Sequence, residues 1–133
     1  STRVRSSAAS DVYKRQLISM IDTITQTFDY VYIIADEQGY VKVGISKHPE
    51  KRLKQLQTGH PTKLSLIFTE EFECTRDHLL KIEKEIHKDL RNFTKKVHGE
   101  WFLLQENQLE KIKNTIIINR IQYDANPLAF KYR

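Results

Sequence analysis

The segment from Tyr30 to Ser46 constrains the fold more than any other part of the chain. Two runs rich in Val, Ile and Tyr, YVYIIA and YVKVGIS, flank the polar residues Asp-Glu-Gln-Gly. β-Branched and aromatic residues favour strands, and a short polar link that contains Gly is typical of the turn between two of them. We therefore predict an antiparallel β-hairpin.

The length of the hairpin loop decides which side chains share a face of the sheet. A three-residue loop ending at Gly39, with this glycine in the left-handed conformation, is a common connection. It pairs Tyr32 with Gly44 and places Tyr30 and Lys42 on the same face as that pair. A loop with an even number of residues would place Tyr32 and Lys42 on opposite faces.

The rest of the chain alternates between helical and strand patterns. Pro49 suits the first turn of a short basic helix, residues 63–73 have the composition of a third strand, and Thr75 is a suitable N-cap for a helix that ends near residue 92. After an apolar anchor, GEWFLL, helical spacing returns over residues 106–120. The expected fold is an α/β (α+β) domain of order ββαβα with a C-terminal helix.

The two ends of the chain are expected to lie outside the functional domain. Residues 1–16 are small, polar and basic and resemble a translated sequencing adapter, so we expect a non-native or disordered tail and a missing native N-terminus. Apolar residues at helical spacing predict a short helix or linker over residues 17–29. The functional domain is assigned to residues 30–104, and a helix and tail to residues 105–133.

Composition restricts the classes of function. The formal net charge of +5 favours an anionic partner such as DNA, although many basic domains bind no nucleic acid. Cys74 is the single cysteine, which excludes an internal disulfide and a Cys-rich zinc site. No run approaches the roughly 20 apolar residues that span a bilayer. We expect a soluble, cytoplasmic protein with no membrane partner and no small-molecule cofactor, and the sequence leaves its oligomeric state open.

The helix that follows Thr75 directs a carboxylate towards half-buried surroundings. Its core-facing stripe consists of Leu79, Ile82, Ile86, Leu90 and Phe93. Glu83 lies at the edge of this stripe, on the same side as Arg76 and His87, whereas Glu85 faces solvent. Glu83 therefore has two interpretations: a helix-edge partner of His87 or Arg76, or a ligand for a metal ion.

The residue types needed for phosphodiester hydrolysis are all present in this region. The reaction needs a water nucleophile, a divalent cation with oxygen ligands and a fixed positive charge near the transition state. Glu83 offers an oxygen ligand, Arg52 a planar guanidinium for the phosphate, and Tyr32 or Lys42 a group that handles the proton. The structural alternatives are a solvated helix face for Arg52 and an ordinary sheet aromatic for Tyr32.

The order and spacing of these residues resemble the GIY-YIG nuclease superfamily. Tyr30-Val31-Tyr32 resembles its GIY motif, Lys42-Val43-Gly44 resembles its YIG motif, Arg52 stands at the place of its arginine, and IEKEIH resembles its glutamate motif. Within the superfamily, KVGIS, QLQTGHP and GEWF look most like the branch typified by the phage T-five Orf-172 DNA-binding domain. The resemblance covers residues 30–102.

This resemblance implies a compact α/β domain with a three-stranded antiparallel sheet that cuts DNA by hydrolysis with one bound Mg²⁺ or Mn²⁺. Glu83 would hold the metal ion, Tyr32 would activate or orient the attacking water, and Arg52 would stabilise the phosphate charge. Lys42 would take the place of the second family tyrosine, which changes the proton chemistry. Gly44 would permit close approach of the backbone.

Further residues are expected to support the site or to bind DNA. His87 and Glu100 fall in motifs of the closer branch and are expected to orient Glu83 or to make outer contacts around the metal site. The DNA-binding candidates are the basic residues around the arginine helix, Lys47, Lys51 and Lys54.

Three functions remain open at this point. They are an active endonuclease, a catalytically inactive DNA-binding module of the same fold, and a protein-interaction domain. The joint presence of Tyr32, Arg52 and Glu83 favours the endonuclease. No match to the family's late asparagine is found, which leaves catalysis to be tested.

Overall fold

The computed structural model describes residues 13–14 and 26–125 of the chain. Residues 26–125 form one antiparallel sheet and three helices. In chain order the elements are β1 (Gln26–Ala35), β2 (Tyr40–Ser46), α1 (Pro49–Gln57), β3 (Ser65–Thr75), α2 (Arg76–Phe93), β4 (Val97–His98), β5 (Trp101–Leu103) and α3 (Glu106–Ala125).

The predicted hairpin is confirmed in its loop and its register. Gly39 has a φ of 97°, which places it in the left-handed region. The Asp36 side chain accepts hydrogen bonds from the backbone N–H groups of Gln38 and Tyr40 at 2.8 and 2.9 Å and so stabilises the turn. Tyr32 lies opposite Gly44, as expected for a three-residue loop.

The sheet has five strands in the order β3-β1-β2-β5-β4, so the prediction of a three-stranded sheet was wrong. The apolar segment interpreted as an anchor contains β5, which forms a small hairpin with the preceding β4 around Gly99, whose φ is 61°. This hairpin joins the sheet through the pairs Tyr40–Leu103 and Val41–Phe102. Strands of two and three residues are too short to show a period of two, which is why the sequence pattern did not indicate them.

The expected N-terminal helix is also corrected where the structure describes it. Residues 17–25 lie outside the described residues, as does the expected tail apart from residues 13–14. Residues 26–29, which were assigned to a helix or linker, belong to strand β1. The side chain of Phe28 is exposed on this strand rather than on a helical face. At the other end, residues 126–133 are outside the described part of the chain.

One face of the sheet packs against α2 and α3 and forms the main core. Val31, Ile33 and Val43 are fully buried on this face. The predicted core stripe of α2 is confirmed, because Leu79, Ile82, Ile86 and Leu90 are all buried and Phe93 packs against them. Full burial of each such side chain stabilises the fold by about 1.5–3 kcal/mol. This core fixes the position of α2 relative to β2.

The opposite face of the sheet packs against α1. Tyr32, Ile34 and Leu64 are buried there, with Leu53 and Leu56 of α1 and with Trp101 of β5 partly buried against them. Because alternate residues of a strand point to opposite faces, Tyr32 and Val31 lie in different cores. The sheet is thus covered on both sides, and the edge of β2 lies between the two layers.

The long C-terminal helix α3 is joined to the sheet by polar as well as apolar contacts. Nε of Arg120 lies 2.5 Å from Oε2 of Glu70 on β3, and its Nη1 lies 2.7 Å from Oδ2 of Asp124. Tyr123 is buried, with its ring 4.7 Å from the ring of His78. Within the described ranges, none of the helices is long and apolar enough to cross a membrane.

Candidate active site at the open edge of strand β2

Strand β2 loses its outer strand partner where the candidate residues begin. β5 pairs with Tyr40 and Val41, and among the described residues no strand pairs with the outer edge of β2 beyond them. The ring of His87 reaches this edge from α2, with Nε2 2.8 Å from the carbonyl oxygen of Val43. Since a carbonyl only accepts hydrogen bonds, Nε2 of His87 carries the proton in this contact. Side chains from several elements can therefore converge on this edge.

Glu83 lies one turn before His87 on α2, in a half-buried position. Burial is the main cause that raises the pKa of its carboxyl above the ordinary value, and the negative charge of Glu100 adds to it. The positive charges of His87, Lys42 and Arg76 act in the opposite direction. The charges of Arg76 and His87 both act on Glu83, as expected for side chains on the same side of the helix. A carboxylate in such surroundings gains stability when a further cation approaches.

Tyr32 lies across the strand pair, over Gly44. Its side chain is 2% exposed, and a Cβ added at Gly44 would lie 2.6 Å from Cζ of Tyr32 and would overlap its hydroxyl oxygen. Contacts this short do not occur between real atoms, so only glycine leaves room for the ring. The close contact at Gly44 is thus made with the Tyr32 ring, and the expected role of Gly44 in close approach of the backbone stays a prediction.

Lys42 is nearly buried, and its ammonium contacts the Oε2 atom of Glu100. Glu100 lies in the β4–β5 turn, and 64% of its side chain is exposed. The hydrogen bond and the charge of Lys42 lower the pKa of Glu100, and His87 and Arg52 lower it further. Sequence reasoning placed Glu100 beside Glu83 in a supporting role but missed its direct contact with Lys42.

Arg52 approaches this cluster from α1, on the other face of the sheet. Its side chain is exposed, and Nη1 lies 3.4 Å from Oε1 of Gln55. The charge of Arg52 is felt at Glu100. The structure thus pairs Lys42 with Glu100 at the edge of β2, leaves Glu83 within range of both charges and leaves Arg52 at the margin of the cluster.

The three lysines expected to bind DNA line a groove separate from this cluster. The groove has a volume of about 670 Å³ and lies between α1 and the sheet, where Tyr30, Leu66 and Thr69 form its floor. We call Lys47, Lys51 and Lys54 the groove lysines. None of Tyr32, Lys42, Arg52 and Glu83 lines this groove. The cationic surface and the candidate reactive groups are therefore neighbouring but distinct.

A buried carboxylate, Asp29, escaped sequence analysis. It is 1% exposed; its Oδ2 lies 3.7 Å from Nη1 of Arg76 and its Oδ1 lies 3.9 Å from Nζ of Lys47. The sequence did contain a sign of this burial, because strand alternation places Asp29 on the same face as Val31 and Ile33, which points into the core. Asp29 holds charges from the end of β2 and the start of α2 near each other.

The described residues contain no group of three or more His, Cys, Asp or Glu side chains that could hold a metal ion. A family model described as the T5orf172 domain matches residues 29–117, which is more than half of the chain and includes every residue of the cluster. No curated protein and no solved structure matches the chain significantly.

Proposed function

The chain belongs to the T5orf172 domain family, whose members are DNA-binding, nuclease-associated domains, and on this premise we propose that it is a metal-dependent endonuclease of the GIY-YIG type that hydrolyses DNA phosphodiester bonds. The observation that carries the proposal is the convergence of Glu83, Lys42 and His87 at the open edge of β2, beside the buried Tyr32. The structural alternative for Glu83 accounts for the charges of His87 and Arg76 near it, whereas the charges of Lys42 and Glu100 that also act on it are not part of that alternative.

The donor set fits Mg²⁺ or Mn²⁺ held mainly through Glu83. Mg²⁺ is commonly bound through one or two carboxylates while it keeps several waters, so it needs no cage of protein ligands. The raised pKa of Glu83, caused by burial and by Glu100, marks a position where a cation would stabilise the carboxylate. When bound, the metal ion would supply charge stabilisation to the phosphate and acidify a bound water.

The protein's own groups supply the remaining functions. In our proposal Arg52, which is exposed on α1, contacts the scissile phosphate through its planar guanidinium. Tyr32 orients the attacking water, since its hydroxyl is held over Gly44 by close packing. Lys42 donates a hydrogen bond to the carboxylate of Glu100 and forms an ion pair with it in this structure. We assign it electrostatic stabilisation of the phosphate rather than the role of general base.

The groove lysines hold the DNA duplex next to this cluster. They line one concave, solvent-exposed surface. Lysines placed in this way contact phosphates without reading base sequence. Binding through them would release counterions and would weaken as salt increases. The separation of the groove from the cluster also favours a second candidate, a DNA-binding module that retains the groove without cutting.

A plasmid-nicking assay separates the two candidates. The wild type should convert supercoiled plasmid to nicked circles in Mg²⁺ or Mn²⁺, and Glu83→Gln and Arg52→Ala should lower the rate by about a hundredfold or more. Glu85→Gln is the matched control, since Glu85 is exposed on the same helix and the charge change is identical. Its rate should equal that of the wild type.

A gel mobility-shift assay with the same proteins tests whether they bind DNA without cutting it. A salt-dependent mobility shift with no nicking in either metal would replace the endonuclease with the binding module. Neither nicking nor a shift would refute both and would favour a protein-interaction domain.

A further inference from the structure

Glu100 reaches a nearly buried cation from an exposed position. It follows Gly99, in the tight turn of the β4–β5 hairpin. Most of its side chain is exposed, whereas only 9% of the Lys42 side chain is exposed. A lysine in such a place needs an anionic partner, because an unpaired charge away from water is costly. Glu100 provides that partner when DNA is absent.

The surroundings of the Glu100 carboxylate are those of an anion-binding position. Lys42 contacts it directly, and the charges of His87 and Arg52 add to the effect of Lys42 on its pKa. A carboxylate and a phosphodiester both present oxygen acceptors with negative charge, and both are bound by ammonium and guanidinium donors. The carboxylate thus resembles the group that the proposed reaction would bring to the same donors.

We infer that the carboxylate of Glu100 occupies the place of the scissile phosphodiester in the DNA-free protein, and that DNA must displace it from Lys42. This inference rests on the proposed function, because it takes Lys42 as a phosphate-contacting group. It adds a regulatory property: the site carries its own competitor for the substrate anion.

The hairpin permits this exchange without unfolding of the sheet. Phe102 is 2% exposed and pairs with Val41, so the base of the hairpin is anchored in the core. Glu100 lies two residues away at the exposed tip, where rotation of its side chain suffices to release Lys42. The ammonium of Lys42 exchanges one anionic partner for another and is not left unpaired in either state. Weak or badly placed phosphates would not displace the carboxylate, which raises the selectivity of the site.

The inference is tested by DNA affinity rather than by cleavage. A short fluorescein-labelled duplex is titrated with wild type, Glu100→Gln and Glu85→Gln in EDTA, and anisotropy gives Kd for each. Glutamine keeps the shape of the side chain and removes its charge. We expect Glu100→Gln to bind about three- to tenfold more tightly than Glu85→Gln, because only the former removes the competing ion pair. Equal or weaker binding by Glu100→Gln would overturn the inference.

A second background distinguishes displacement from a general charge effect. In a Lys42→Met background, Glu100→Gln should no longer bind the duplex more tightly than Glu85→Gln, because Glu100 no longer has Lys42 as its ion-pair partner. Persistence of the full advantage without Lys42 would also overturn the inference. If the wild type and every variant fail to bind the duplex, the proposed function fails together with it. If the wild type binds and the expected order is absent, only the inference fails.

Discussion

Replacing Gly44 with alanine tests whether the Tyr32 ring is held against strand β2. The added Cβ would lie 2.6 Å from Cζ and 3.0 Å from Cε2 of Tyr32, and it would overlap the hydroxyl. Tyr32 is buried in a cluster with Ile34 and Leu64, against which Leu53 and Leu56 pack, so a shift of its ring would disturb this packing. The backbone itself is no obstacle, because Gly44 is not among the glycines with positive φ.

The expected magnitude is the difference between two opposing effects. Overpacking of a filled site costs about 1–3 kcal/mol. Alanine in a strand otherwise stabilises by about 0.5–1 kcal/mol relative to glycine, because glycine loses more backbone freedom on folding. The net effect of Gly44→Ala should be a loss of about 1–2 kcal/mol of unfolding free energy. In a Tyr32→Leu background, which removes all three contacting atoms, the same change should be neutral or stabilising.

Urea unfolding followed by the fluorescence of Trp101, the single tryptophan, measures all four proteins of this double-mutant cycle. Tyr32→Phe serves as a further control, since it removes the overlapping hydroxyl but keeps Cζ and Cε2 and should therefore relieve only part of the overlap. The displaced ring should also lower plasmid nicking by Gly44→Ala, while DNA affinity is retained. A cost for Gly44→Ala that is the same in the wild-type and Tyr32→Leu backgrounds would refute the packing argument.

Three further predictions concern stability and DNA binding. Thr75→Ala removes the hydroxyl that accepts a hydrogen bond from the backbone N–H of His78 at 3.2 Å, and urea unfolding should show a loss of about 1 kcal/mol; an unchanged midpoint would contradict the cap. Replacing the groove lysines with glutamine should make the dependence of log affinity on log salt shallower by about 0.9 for each phosphate that is no longer neutralised, as measured by anisotropy at several salt concentrations; an unchanged slope would exclude the groove. Glu83→Gln should raise the melting temperature of the metal-free protein at neutral pH, because the raised pKa of Glu83 means that its charged form is disfavoured in the folded state. This gain should shrink as the pH falls through that raised pKa and should vanish below the ordinary value of 4.5, where both folded and unfolded chains are protonated; a gain that is independent of pH would argue against burial as the cause.

The features that sequence predicted best are those set by local chemistry. Alternation and a single left-handed glycine determine the register of β1 and β2, so Tyr32 lies opposite Gly44 as expected. Helical spacing identified the buried stripe of α2 and placed Glu83 at its edge. Both patterns repeat within a few residues, and a period is visible only over such a stretch. The catalytic roles of Tyr32, Arg52 and Glu83 stay predictions.

The features that sequence missed depend on contacts between distant segments. β4 and β5 are too short for a recognisable pattern, and they join a strand that lies far earlier in the chain. The pairing of Lys42 with Glu100 follows from that unexpected hairpin, so no local pattern could indicate it. Asp29 is a different case, because the strand pattern alone places this acid on the core-facing side of β1 among apolar residues.

The way helix α3 is attached to the sheet matters for anyone who transplants this domain into another protein. The family match ends at residue 117, within α3, but the helix continues to Ala125. A fragment cut at the end of the match would lose Tyr123 from beside His78 and would remove Arg120 from Glu70. A fragment that is moved into another protein therefore has to extend beyond residue 117, where the family match ends.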